Sequence, residues 1–276
     1  MSCTIIPPYL LQALAADADA HVAAHASETL AVDEGFRRER AERATPGAAG
    51  ATLPRDDGTH PSRGIFDARS RQTLPGKRVR VEGGEPTGDA DADEAYDGLG
   101  STWALFSEVF GRDSLDAHGE ALIGTVHFGA GYDNAFWNGT QMVFGDGDGV
   151  IFNPFTSSID VIGHELTHAV TERTAGLVYD GQSGALNESL SDVFGSLVKQ
   201  RVLGQTAERA DWLIGAGLLA AGVKGVALRS MSHPGTAYDD PRLGKDPQPD
   251  SMAGYVTTTG DNGGVHLNSG IPNRAF

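Results

Sequence analysis

The stretch Asp160-Val161-Ile162-Gly163-His164-Glu165-Leu166-Thr167-His168-Ala169-Val170 constrains this chain more than any other. Its apolar residues recur at helical spacing, and residues four apart on a helix lie one above the other. His164 and His168 can then reach a single ion. Glu165, about 100° round the helix, stands close enough to act on a metal-bound water without being a ligand. Two histidines and a glutamate on a solvated helix face are the plain alternative, so the motif needs support from elsewhere in the chain.

That support comes from Gly184-Ala185-Leu186-Asn187-Glu188-Ser189-Leu190-Ser191-Asp192-Val193-Phe194-Gly195, which reads as a second helix. Leu186, Leu190, Val193, Phe194 and Leu197 form its apolar stripe, and Glu188 and Asp192, four apart, share a face. A catalytic zinc takes three protein ligands and keeps one position open for water, and two histidines with a glutamate are one such set. Glu188 is the third ligand on this reading. Asp192 is placed to accept a hydrogen bond from the other ring nitrogen of a ligand histidine.

Composition removes whole classes of function. A length of 276 residues suffices for two domains or one large core. No apolar run approaches the roughly 18 residues of a membrane span. The net charge of −16 argues against a nucleic-acid partner. The single cysteine excludes an internal disulfide and fits a reducing compartment. The first 30 residues carry Asp17, Asp19, His21, His25 and Glu28, with no basic segment leading into an apolar one, so no signal peptide is read there.

Further motifs stand in order along the chain: Asn134-Ala135-Phe136-Trp137-Asn138-Gly139, Tyr179, Arg229-Ser230-Met231-Ser232 and Gly264-Val265-His266-Leu267-Asn268-Ser269-Gly270. With the two helices they resemble the thermolysin family of zinc metallopeptidases over residues 65–276. The leader, with Cys3, Ile6, Pro7, Pro8 and Tyr9, resembles the protealysin-like branch, whose precursors carry a compact propeptide. The resemblance implies an α+β, thermolysin-like two-lobed metallopeptidase, with a β-rich N-terminal lobe, a helical C-terminal lobe and zinc in the cleft between them. It implies a zinc endopeptidase in which Glu165 moves the proton, Tyr179 and His266 donate to the oxyanion, and Asp261 orients His266. Asn134 and Ala135 would pair with the substrate main chain and Arg229 would hold a substrate carbonyl. Phe152, Val161, Ile214 and Leu228 would line the pocket for an apolar residue just after the cut.

The implied partners are peptide or protein substrates and the chain's own propeptide as intramolecular inhibitor, with no nucleic acid and no membrane, in a monomer. The family is mostly secreted, whereas the leader composition points to the cytoplasm or to leaderless export. Of the family's paired calcium site, Asp160 and Asp211 match two acidic positions, but Lys199, Leu213 and Ala216 occupy the others. A hard dication needs a cage of oxygens, so the calcium pair is expected to be absent. Family members continue beyond the position of Phe276 into a helical bundle under the zinc helix. The chain is therefore expected to be C-terminally truncated, with apolar surface on that helix exposed. A latent fragment that binds zinc without turnover, and a zinc hydrolase of non-peptide substrates, are the alternatives.

Read in order, residues 1–9 should be extended, because Pro7 and Pro8 oppose a helix. Residues 10–31 should form a helix continuing through Arg43. Residues 45–58, rich in Gly, Pro and Ala, should be a linker open to nicking, so residues 1–58 are read as propeptide plus linker. Residues 59–157 and 158–276 are the two lobes. Cys3, whose thiolate would make a good zinc ligand, is a candidate zymogen switch against the plainer reading of a surface thiol. Strands are expected over residues 65–81, broken at Pro75-Gly76, and over 119–128. The acidic, Gly-rich residues 82–97 should be a surface loop and residues 99–110 a helix. Residues 134–139 should be an edge strand to which a peptide adds by main-chain hydrogen bonds. Residues 145–149 should be a tight turn between strands, Gly176 a helix stop, and residues 236–250 a loop.

Overall fold

The computed structural model describes residues 3–42, 53–55 and 58–276; most of the expected linker lies outside the described residues. The leader opens with β1 (Cys3–Thr4), α1 (Pro8–Ala15) and α2 (Ala20–Glu42). The extended stretch is shorter than expected. Pro8 occupies the first helical position, where its missing N–H would have had no partner in any case. The single long helix is broken at residues 16–19. There Asp17 accepts from Asp19 N at 2.8 Å and Asp19 from His21 N at 2.9 Å. Such side-chain acceptors outcompete helix continuation and cap the next helix.

Strands β2 (Arg63–Arg71) and β3 (Lys77–Val81) follow as expected, separated around Pro75-Gly76. The acidic stretch 82–97 is a loop only as far as Asp89. That residue caps α3 (Ala90–Ala104) by accepting from Asp91 N and Ala92 N, and Asp91 and Asp93 complement the first turn. Ala92, Ala95, Tyr96, Leu99 and Trp103 form its buried stripe. A π-helical turn, Leu105–Val109, completes the segment expected to be one helix.

Strands β4 (Leu122–Phe128), β5 (Ala135–Trp137) and β6 (Met142–Phe144) complete a mixed six-stranded sheet in the order β1-β5-β6-β4-β2-β3. The expected edge strand β5 is therefore not the edge, because the leader's β1 pairs with it antiparallel. The Gly145–Gly149 segment does turn the chain, with Asp148 Oδ1 accepting from three successive amides of residues 150–152. It leads into the helical lobe rather than to another strand.

Helices α4 (Ile159–Glu172) and α5 (Gly181–Leu203) form the centre of that lobe. They pack closely enough that a Cβ on Gly195 would lie 2.4 Å from Asp160 O, and one on Gly163 3.0 Å from Gly195 Cα. Two sequence expectations fail here. Val161, Ile162, Leu166 and Ala169 of α4 are buried, so the zinc helix does not expose apolar surface. The apolar stripe of α5 faces inward only in part, at Val193 and Leu197. Leu186 is 44% exposed, while Glu188, Asp192 and Gly195 on the buried side face α4, and Gly184 lies against Tyr179 and Val265. Phe194 instead stacks on Phe106 at 5.1 Å, outside that contact.

The remainder is irregular and short: β7 (Leu213–Ile214) with β8 (Arg229–Ser230), and β9 (Asp239–Asp240) with β10 (Gly244–Lys245) inside the stretch expected to be a loop. Helices α6 (Asp261–Asn268) and α7 (Gly270–Ala275) close the chain. Among the described residues no helix is long and apolar enough to cross a membrane.

Candidate active site

The glycine contact between α4 and α5 sets the site. It lets His164 and His168 of one helix and Glu188 of the other converge, all three buried. His164 Nε2 and His168 Nε2 are 3.0 Å apart, and each lies 3.5 Å from a Glu188 oxygen. The Nδ1 atoms are already engaged, His164 with Asp192 Oδ1 at 2.7 Å and His168 with Asn187 Oδ1 at 2.8 Å and Ser191 Oγ at 3.1 Å. With the proton on Nδ1, both Nε2 lone pairs point at one another. Zinc bonds of about 2.0–2.1 Å to each would relieve that repulsion. The donor set fits a tetrahedral zinc.

Electrostatics agree with this geometry. Burial pushes the His168 imidazolium down to about 3, leaving the ring neutral, as a ligand must be. Burial would raise Glu188, but His266, His168, His164 and Arg229 outweigh it and hold the carboxyl well down, at about 2. Asp192 is likewise buried yet kept far below the usual carboxylate range by Arg229 and His164. It accepts from Arg229 Nε at 2.9 Å and Nη2 at 2.8 Å, and from Asn273 Nδ2 at 2.8 Å.

Glu165, the remaining carboxylate of the motif, accepts from the backbone N–H of Trp137 at 3.0 Å, which ties the motif to β5. Tyr179 donates to Glu188 Oε1, and its hydroxyl lies 3.3 Å from His266 Nε2. Asp261 grips His266 twice, at Nδ1 (2.7 Å) and at the backbone N–H (2.9 Å). Burial works against charge on His266, and Asp261 overcomes it to raise its pKa. This grip depends on four consecutive residues, 261–264, in the left-handed region, an arrangement that Gly263 and Gly264 make feasible.

The leader lies in the cleft. Cys3 stands opposite Trp137 and Thr4 opposite Phe136, and Ile5 N donates to Ala135 O at 3.1 Å. Asn134 accepts from Ile6 N at 2.9 Å and donates to Ile6 O at 3.2 Å. Arg229 Nη1 donates to Ile5 O at 3.3 Å, and His266 Nε2 is 3.1 Å from Thr4 O. Ile5 and Ile6 are fully buried in the same cluster as Phe152, Val161, Ile214 and Leu228. The side chain of Cys3 lies outside the described residues. At the positions of the expected calcium pair, the Lys199 ammonium donates to Asp160 at 3.2 Å, Asp211 at 2.9 Å and Leu213 O at 3.1 Å.

Several participants escaped the sequence reading: Asn187, Ser191, Asn273 and the Trp137 amide. So did the leader's anchor, where Asp33 accepts from Tyr132 and from Asn134 at 3.0 Å, and Thr29 accepts from Asp133 N at 3.0 Å. A signal for the anchor existed. Val22, Ala26, Thr29 and Asp33 form one helical stripe, and two polar residues on a buried stripe mark a polar partner.

A mixed sheet and a helical lobe that aim two imidazoles and a carboxylate at one point, with a further carboxylate beside them, define a metallopeptidase. Residues 57–172 match the catalytic domain of the thermolysin metallopeptidases and residues 175–276 their alpha-helical domain. The chain belongs to the thermolysin family of metallopeptidases. It is 58% identical to an extracellular metalloprotease of Pectobacterium carotovorum subsp. carotovorum, over 99% of this chain and 77% of that protein. It is 48% identical to a thermolysin of Alicyclobacillus acidocaldarius subsp. acidocaldarius, over 77% of this chain but 37% of that protein. Among solved structures, the precursor of protealysin, a metalloproteinase from Serratia proteamaculans, superposes with a TM-score of 0.89 at 55% identity, covering 99% of this chain and 79% of that one.

Proposed function

We propose that the chain is the zymogen of a secreted zinc endopeptidase, with residues 1–58 as inhibitory leader and linker and residues 59–157 and 158–276 as its two lobes. The observation that carries the zinc assignment is the pair of Nε2 atoms 3.0 Å apart with both Nδ1 atoms engaged elsewhere. His164, His168 and Glu188 would hold the ion, which when bound supplies a Lewis acid and an acidified water. Asp192 and Asn187 fix the rings that hold it.

Glu165 takes the proton of the attacking water and passes it to the leaving nitrogen. Tyr179 and His266 donate to the oxygen that gains charge, each worth a few kcal/mol in the transition state, and Asp261 keeps His266 oriented. Asn134, Ala135 and Arg229 bind the substrate main chain, and Phe152, Val161, Ile214 and Leu228 select an apolar side chain just after the cut. Lys199 takes the place of a bound dication between Asp160 and Asp211. The leader inhibits by occupying the substrate's own contacts. Secretion follows the extracellular relative.

The test is cleavage of a quenched peptide with Leu or Phe after the scissile bond. Chelator-sensitive cleavage that rises when the linker is nicked and is lost in Glu165→Ala supports the reading. Zinc bound at one per chain with no cleavage in either wild-type form would refute it.

A further inference from the structure

We propose that this active site cleaves its own leader between Thr4 and Ile5, an inference that rests on the endopeptidase reading above. The leader does more than cover the cleft: its carbonyls meet the substrate-binding groups in sequence. His266 Nε2 stands 3.1 Å from Thr4 O, and the next carbonyl, that of Ile5, accepts from Arg229 at 3.3 Å. The amide between them donates to Ala135 O at 3.1 Å, and Ile6 is held at both its N–H and its carbonyl by Asn134. If His266 serves the oxygen of the scissile carbonyl, that carbonyl belongs to Thr4.

Two further features fit the same register. Glu165 is fastened to the amide of Trp137, next to Phe136, and Phe136 is the residue opposite Thr4. Ile5, the residue after the bond, is apolar, fully buried and in one cluster with the proposed pocket residues.

The two products are held unequally. Residues 5 onward stay anchored through α1 and α2, with Asp33 and Thr29 bonded to the catalytic lobe. Before the cut, the described residues Cys3 and Thr4 are held by the two-residue β1 pairing and by the contacts of Thr4 with His266 Nε2 and Ile6 O. The tether makes the cut intramolecular and favours it by proximity, while the freed tetrapeptide diffuses away and resealing does not compete. In the step a water oxygen bonds to the Thr4 carbonyl carbon and the C–N bond to Ile5 breaks. The water's protons pass to the new Ile5 amine and to solvent, leaving a carboxylate on Thr4.

The experiment follows the N-terminus by intact mass and terminal sequencing in the zinc-loaded full chain, in Glu165→Ala and in Ile5→Asp, with quenched-peptide cleavage after linker nicking as control. Wild type is expected to lose residues 1–4 and begin at Ile5, at a rate independent of protein concentration. Glu165→Ala keeps its N-terminus. Ile5→Asp, with a charge directed at the apolar pocket, keeps residues 1–4 but still cleaves the peptide after nicking. A chain that cleaves the peptide yet retains residues 1–4, or is cut at another leader bond, or is cut faster at higher concentration, overturns the proposal alone. If neither peptide nor leader is cut, the endopeptidase reading falls and takes the proposal with it.

Discussion

Two histidine–carboxylate clusters in this molecule use the same ingredients and reach opposite ends. At α4 and α5 the Nδ1 atoms are engaged, that of His164 by Asp192 and that of His168 by Asn187 and Ser191, each Nε2 turns toward the other ring, and burial keeps His168 neutral. At the sheet, His127 meets Asp146 through Nδ1 and Asp89 through Nε2, both at 2.9 Å, with Asp91 3.7 Å away. Hydrogen bonds to Asp146 and Asp89 outweigh partial burial and push His127 up to about 10. An imidazolium with both nitrogens protonated has no lone pair for a metal. What separates the two clusters is Nε2, which meets another imidazole at α4 but is hydrogen-bonded to a carboxylate in His127.

The largest test of that contrast is metal content. His168→Ala should take zinc from one per chain to none and cut peptide cleavage by orders of magnitude, while His127→Ala leaves the stoichiometry unchanged by atomic emission. Next, Asp192→Asn and Asn187→Ala should weaken zinc binding by about 10–100-fold in a chelator competition, because the rings lose their orienting partners. Asp146→Asn should not.

Buried Asp133 extends the comparison to a carboxylate with no imidazole against it. Burial, aided by Asp148, raises it to about 8. Its raised pKa means the fold favours the protonated form. That contribution is complete below about pH 4 and is lost as pH rises through about 8. Asp133→Asn should flatten this decline and raise the unfolding free energy from denaturant titration above pH 8, by about a few kcal/mol at most. The smallest effect belongs to His127, which is partly exposed. Its contribution is complete below about 6.5 and lost as pH rises through about 10, so His127→Gln should flatten only that alkaline limb.

What the sequence made legible follows from range. His164, Glu165, His168, Glu188 and Asp192 were readable because four-residue spacing is local helix geometry. The inward face of α5 was not, because its polar ligands are buried and its leucines are not, inverting the usual rule. The first turns of α3 were hidden by their acidic composition, although Asp89 followed by Asp91 and Asp93 is a helix-start pattern. The family motif implied that Asn134 and Ala135, at the start of β5, would pair with a peptide main chain. The resemblance implied an inhibitory leader, but nothing local to Cys3 and Thr4 announced that they would pair with β5, since the pairing joins residues far apart in the chain.

The meeting of Gly163 and Gly195 works as a thickness gauge. Neither residue is among the proposed ligands, yet together they set how far apart the two ligand-bearing backbones stand. A single methyl is thicker than the gap at Gly195. The convergence of His164, His168 and Glu188 is thus machined into two positions that carry no side chain, and an alanine at either would force the two backbones apart.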